Sequence, residues 1–152
     1  MAKGQAKVLA CCISEHKGTR KYSVDAIELH VGIGIKNDAH SGNWHRQVSL
    51  LGNEAVERMR KKGLTLSAGD FAENVLTEGI TLRELPVGSV LDVGRARLVV
   101  TQIGKTCHND CEIRRLTGMC AMPTDGIFAV VGRDGAIRAG AAILGRSEAE
   151  LG

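Results

Sequence analysis

Residues 101–113 read TQIGKTCHNDCEI, and side chains of reactive type crowd into the middle of that stretch: Lys105, Cys107, His108 and Cys111. Cys107 closely follows Lys105 and directly precedes His108, after an apolar run and just ahead of a candidate helix start. Neighbouring positive charge and the unpaired N–H groups of a helix end both favour the thiolate form of a cysteine. Such a thiolate can attack as a nucleophile, carry sulfur as a persulfide or bind a soft metal. The local sequence leaves these three roles open. No hydrolase elbow or papain-type signature surrounds Cys107, so protease chemistry has no support.

Two other chemistries can be weighed on the same residues. Cys107, His108, Cys111 and Cys120 are soft donors suited to zinc or an iron–sulfur cluster, but zinc ribbons use two paired hooks. Here three residues separate Cys107 from Cys111, and Cys120 has no close thiol partner. Cys111 and Cys120 therefore read as small buried hydrophobes, as do Cys11 and Cys12 within an apolar strand. Gly104-Lys105-Thr106 resembles the end of a phosphate-binding loop, yet the glycine that pattern needs five residues earlier is Val99. Gly32-x-Gly34 starts a dinucleotide-type glycine pattern that fails at Asn37. What remains is a glycine-bearing loop carrying Lys36, Asp38, His40, His45 and Arg46, which is either a solvated turn or one wall of a site.

The elements that must position these groups are mostly strands. Glycine occurs 19 times and falls between short β-branched stretches, the punctuation of many tight turns. Strands are expected over 7–14, 26–31, 47–51, 74–77, 89–93, 96–103, 127–131 and 136–139. One helix is expected over 53–62, with Asn53 capping it, acids early, lysines late and Gly63 ending it. A second, shorter helix over 110–116 would begin inside the thiol cluster. Asp134-Gly135 between two apolar runs predicts a hairpin turn. Numerous strands without regularly alternating helices argue for a mainly-β, barrel-like domain rather than a parallel α/β sheet.

Composition bounds the partners. A chain of 152 residues is expected to form a single domain, residues 1–152, with a core that needs no disulfides. Five cysteines are an odd number for an internal framework, so reduced thiols and a cytoplasmic location are expected. The net charge of +3 and the 3% aromatic content give no stacking platform for single-stranded nucleic acid, whereas clustered cations could still hold a small anion. No segment approaches the ~20 apolar residues of a membrane helix, and no membrane or nucleic-acid partner is expected.

Taken in order, GIKNDAHSG with HRQVSLL, then GDFAENVLTEGI, GKTCH and MPTDGIFAVV followed by a glycine turn, resemble the MOSC domain over about residues 5–145. This is the C-terminal domain of molybdenum-cofactor sulfurases, and it also occurs alone in bacteria. The resemblance implies a β-barrel-like fold with a few short helices. It implies that Cys107 receives sulfur as a persulfide or ligates molybdenum, with Lys105 and His108 tuning its charge. Lys36, His45 and Arg46 would line the anionic end of the molybdenum cofactor. Gly69, Asp70, Asn74 and Thr106 would shape the pocket, Asp70 accepting from a pterin nitrogen; a turn-fixing role for Asp70 stands beside that one. Three departures affect the fine shape: Thr106 stands where proline is common, Ala72 where many members have glycine, and Ala141 where an acid is often found.

The activity so implied is sulfur transfer, or a molybdenum-dependent reduction of small nitrogen-containing substrates. A non-catalytic cofactor carrier or a zinc-stabilised Cys/His module are the alternatives, and whether the chain is an enzyme stays open. No intrinsic pyridoxal phosphate site is expected, so a partner cysteine desulfurase would load Cys107 and a molybdoenzyme could accept the sulfur.

Overall fold

Glycine-separated runs of β-branched and leucine side chains become strands because such side chains pack well on a pleated surface. The computed structural model describes residues 6–16, 19–63, 65–104 and 126–146. Among these the order is β1 (Lys7–Ile13), β2 (Tyr22–Val24), β3 (Ala26–His30), β4 (Gly34–Ile35), β5 (Val48–Gly52), α1 (Asn53–Arg60) and β6 (Val75–Glu78). A 3-10 turn (Leu82–Glu84) follows, then β7 (Val90–Val93), β8 (Ala96–Ile103), β9 (Ile127–Arg133), β10 (Gly135–Arg138) and β11 (Ile143–Arg146). The mainly-β class is as expected. The candidates Lys105, Thr106, Cys107, His108, Cys111 and Cys120, and the helix expected over 110–116, lie outside the described residues.

Eight strands form one sheet in the order β11-β7-β8-β9-β5-β6-β1-β2, and three form a second, β10-β3-β4. Neighbouring strands are antiparallel except β5 and β6, which run parallel because α1 lies in the crossover between them. The expected barrel is not closed by a continuous ladder. The outer edge of β1 is divided: Cys11, Cys12 and Ile13 pair with β2, and the start of the strand meets the approach to β11 through the single bridge Lys7–Ala142. The Val8 N–H donates to Ala141 O at 2.9 Å and the Ile143 N–H to Ala6 O at 3.0 Å, so the sheet curls round without becoming a cylinder.

Alternation along β5 explains why all five of its residues are buried. Val48 and Leu50 enter a large cluster with Ile27, Leu29, Leu98 and Ile137. Leu51 points the other way, into a second cluster with Val56 of α1, Phe71, Leu76 and Phe128. The central strand is thus covered on one face by the small sheet and on the other by α1 with the loop before β6.

Local expectations differ in three places. Asn53 is the first helical residue rather than the cap: Gly52 holds the cap position without a side-chain bond, and Asn53 Oδ1 accepts from Arg60 Nη1 at 3.3 Å. Strands β2, β4 and β11 are too short or too mixed in composition to have been read from the sequence. Asp134-Gly135 is not a hairpin turn, because β9 pairs with β8 and β5 while β10 pairs with β3. The chain changes sheets there, and Asp134 Oδ1 accepts the Val31 N–H at 2.7 Å to fix the crossing. Glycine is required at 135 for close approach: a Cβ there would stand 2.7 Å from Ala96 N. Gly135→Ala is therefore expected to destabilise the fold by about 1–3 kcal/mol in urea unfolding, the usual range for overpacking; an unchanged midpoint would return this position to an ordinary turn.

Candidate functional site

The loop from β4 to β5 is built on a buried ammonium. Lys21 Nζ donates to Asp38 Oδ1 at 2.8 Å and to Ser14 Oγ at 3.0 Å, and lies 3.0 Å from His40 Nδ1. An ammonium has three protons and no lone pair. Three partners use all three protons, which makes His40 Nδ1 an acceptor and places its ring proton on Nε2. Asp38 in turn accepts the Ser14 N–H through Oδ1 and the His40 N–H through Oδ2, both at 3.0 Å. Burial pulls the Lys21 pKa down, and the charge of Asp38 and its hydrogen bond push the other way. Beyond His40, the Trp44 indole N–H donates to the His40 carbonyl at 2.7 Å and the two rings lie parallel with centroids 6.2 Å apart.

The GDFAEN segment supports Lys21 from behind. Gly69, at φ 89°, lets two backbones touch: a Cβ there would fall 2.1 Å from Lys21 O, and the Lys21 N–H donates to Gly69 O at 2.8 Å. Asp70 Oδ2 accepts the Ser67 N–H at 2.9 Å, a turn-fixing bond. Ala72 adopts φ 64°, a conformation costing a residue with a Cβ about 1–2 kcal/mol, so alanine strains the turn at this position. Glu73 is buried and accepts the N–H groups of Gly69 at 2.7 Å and Phe71 at 3.1 Å. Asn74 is fully buried, donating to Cys12 O at 3.0 Å and accepting the Ser49 N–H at 2.9 Å. It ties β1, β5 and β6 together.

At the other end of the loop His45 and Arg46 converge on strand β8. Gln102 Oε1 lies 3.0 Å from Arg46 Nε and 2.8 Å from His45 Nε2, and Gln102 Nε2 donates to Gly104 O at 2.7 Å. Arginine Nε can only donate and a carbonyl can only accept, so the amide orientation is fixed and His45 Nε2 must carry a proton. The Arg46 guanidinium lies 5.2 Å over the Phe128 ring. The loop leaves this corner through Gln47, whose Nε2 donates to Gly42 O and whose Oε1 accepts the Val131 N–H, both at 3.0 Å.

Of the candidates named from the sequence, the structure brings together His45 and Arg46, beside the Gly104 that leads on to Lys105 and Cys107. Lys36 stands exposed at the end of β4, its N–H bonded to Glu28 O at 2.9 Å. Asp70 and Asn74 occupy the loop and strand bonds just given. Cys11 and Cys12 are free and buried, and burial pushes their thiols up to about 11 and about 12, the packing role expected of them. Among the described residues no group of three His, Cys, Asp or Glu side chains could hold a metal, and no helix is long and apolar enough to cross a membrane. A cavity of about 160 Å³ lies elsewhere, beside Glu54, Arg58 and Arg83, and none of the candidate side chains lines it. Ser14, Lys21, Glu73 and Gln102 were not among the candidates: Glu73 and Gln102 lie within quoted motifs, but nothing local sets any of the four side chains apart.

Glu73 gives the site a pH dependence. Burial, opposed by backbone N–H groups, pushes its carboxyl from 4.5 up to about 7. The folded chain therefore holds this proton more tightly than the unfolded chain. The stabilisation is complete below about pH 4.5 and is lost as the pH rises through about 7. The loss amounts to about 3 kcal/mol. Urea unfolding from pH 5 to pH 8 should show wild-type stability falling more steeply than that of Glu73→Gln; parallel curves would mean that Glu73 is ionised throughout.

Comparison with known proteins agrees with this architecture. The sequence model of the MOSC domain family matches residues 37–144. The YuaD protein of Bacillus subtilis has a similar crystal structure, with a TM-score of 0.74 at 22% identity over 94% of this chain and 97% of that one. YiiM of Geobacillus stearothermophilus is similar at a TM-score of 0.68 and 18% identity, over 93% of this chain and 75% of that one. YiiM of Escherichia coli gives 0.67 and 19%, over 96% and 71%. At these identities the likeness establishes a shared fold. No curated protein matches the sequence at a significant level. The family match covers well over half of the 152 residues and spans both the Asp38–Arg46 loop and the strand leading to Cys107, and the chain belongs to the MOSC domain family.

Proposed function

We propose that this protein binds a molybdenum cofactor beside the end of β8, with Cys107 as the sulfur-bearing or metal-ligating residue and Arg46 and His45 at the anionic end. The observation that carries this reading is the convergence of Arg46 and His45 on Gln102, whose amide is also bonded to Gly104. Cys107 follows Gly104 by three residues. A molybdenum cofactor offers a phosphate at one end and a dithiolene-bound metal at the other. The residues present fit it: a guanidinium and an imidazole held side by side on one amide oxygen suit an anionic group, and a thiol close along the chain suits the metal end. Lys36 would add charge to the loop, and Lys105 and His108 would favour the thiolate of Cys107. Thr106 would adjoin the cofactor beside them.

When bound, the cofactor supplies redox chemistry that side chains lack. The chain's own part is to grip the anion, hold the imidazole in one tautomer and present the thiol. For sulfur transfer, the Cys107 thiolate attacks the outer sulfur of a persulfide on a cysteine desulfurase. The S–S bond of the donor breaks, the donor cysteine leaves as a thiolate, and Cys107 becomes the persulfide. A molybdoenzyme's cofactor is the acceptor. Such exchange requires reduced thiols, which fits a cytoplasmic location.

Protein purified from a host that makes the cofactor should contain molybdenum and pterin in matching amounts. Arg46→Ala should lower both by about tenfold or more, the scale of a lost charge-assisted hydrogen bond. Cys107→Ser should take up no labelled sulfur from a desulfurase while unfolding at the wild-type midpoint. Bound cofactor without sulfur uptake by the wild type would leave a carrier; zinc without molybdenum would overturn the proposal.

A further inference from the structure

Strand β8 sends Ala96, Leu98 and Val100 into the large core cluster, and unbroken alternation would send Gln102 after them. The register prevents this. Val100 pairs with Ala129 and Gln102 with Phe128, which leaves Thr101 as an extra residue. A bulge of this kind re-aims the side chains that follow it. Gln102 comes to share a face with its partner Phe128, the ring over which Arg46 lies. Thr101 Oγ1 meanwhile donates to the His45 carbonyl, so the bulge grips that loop through backbone and side chain at once.

We propose that Gln102 is a positioning residue for the anion-binding pair: its carbonyl oxygen gathers His45 and Arg46 while its amide nitrogen holds Gly104, so that both side chains keep one fixed relation to the end of β8. The proposal rests on the reading above for what the anion is, but the geometry is independent of it. A neutral amide suits this place chemically. One oxygen with two lone pairs satisfies two donors without neutralising them, and one N–H group satisfies a carbonyl. A carboxylate would face the Gly104 oxygen with a second acceptor at 2.7 Å and would quench the Arg46 charge needed for an anionic ligand. Leucine would leave all three neighbours without their partner.

Gln102→Leu and Gln102→Glu test this with two readouts, the tautomer of His45 by NMR and the retention of molybdenum cofactor by protein made in a cofactor-producing host. Gln102→Leu should abolish the Nε2–H preference of His45 and lower cofactor retention by about tenfold or more. Gln102→Glu should also lose cofactor, because a carboxylate beside Arg46 neutralises the charge that an anion needs. If Gln102→Leu does not fold, Gln102→Glu carries the test alone. Wild-type His45 behaviour and wild-type cofactor content in a folded variant overturn the inference, as does a loss of stability with both readouts unmoved. If the wild type holds no cofactor, the proposed function fails, and the tautomer of His45 in Gln102→Leu still decides the role of Gln102.

Discussion

An ammonium group sealed from water holds the site loop in place. The side chains of Lys21 and Asp38 are both 0% exposed, so each charge depends on the other and on the hydrogen bonds around it. Removing one partner from such a pair costs about 3–5 kcal/mol, since the remaining charge is then buried alone. Three segments meet at this point: the end of β1 through Ser14, the loop through Asp38 and His40, and the GDFAEN turn through the backbone contact of Gly69 with Lys21. The loop is therefore fixed at its start by Lys21 and at its finish by Gln47. His45 and Arg46 lie between these anchors. A binding group held this way loses little conformational freedom on meeting its ligand.

The two buried carboxylates nearby are handled differently. Asp38 has a cation and stays paired, whereas Glu73 is surrounded by backbone N–H groups, which satisfy its oxygens but only partly offset its desolvation. Cys12 lies close to both systems; burial first, then the charge of Glu73, keeps its thiol neutral. The interior behind the loop thus carries one matched ion pair and one carboxyl that titrates near neutrality. The GDFAEN segment divides its work by residue: Gly69 for close approach, Asp70 for the turn, Glu73 for the backbone donors and Asn74 for three strands.

Much of the fold was legible because alternation and glycine spacing are local signals. β8 was read with its full bounds, and β1, β3, β5, β6, β7, β9 and β10 within a few residues, since each is a short aliphatic-bearing stretch between turns. The Asp134-Gly135 turn was misread because a hairpin and a change of sheet share the same dipeptide; what separates them is the backbone of Ala96, far away in sequence. Barrel closure depends on which strand takes each edge, and no strand states that in its own residues. His45 and Arg46 stood out by charge in a glycine loop. Lys21 did not, for its burial is set by Ser14, Asp38 and Gly69 from three other segments. Gln102 lay within the stretch first singled out, yet its direction follows from a bulge that the sequence does not announce.

Amide hydrogen exchange in Lys21→Met tests most directly whether this buried pair holds the site together. The Ser14 and His40 N–H groups, which both donate to Asp38, should exchange about a hundredfold faster or more, and by a larger factor than Val100 in the core. Unchanged protection at those two amides would show that the loop keeps its place without the ammonium, and would contradict the account.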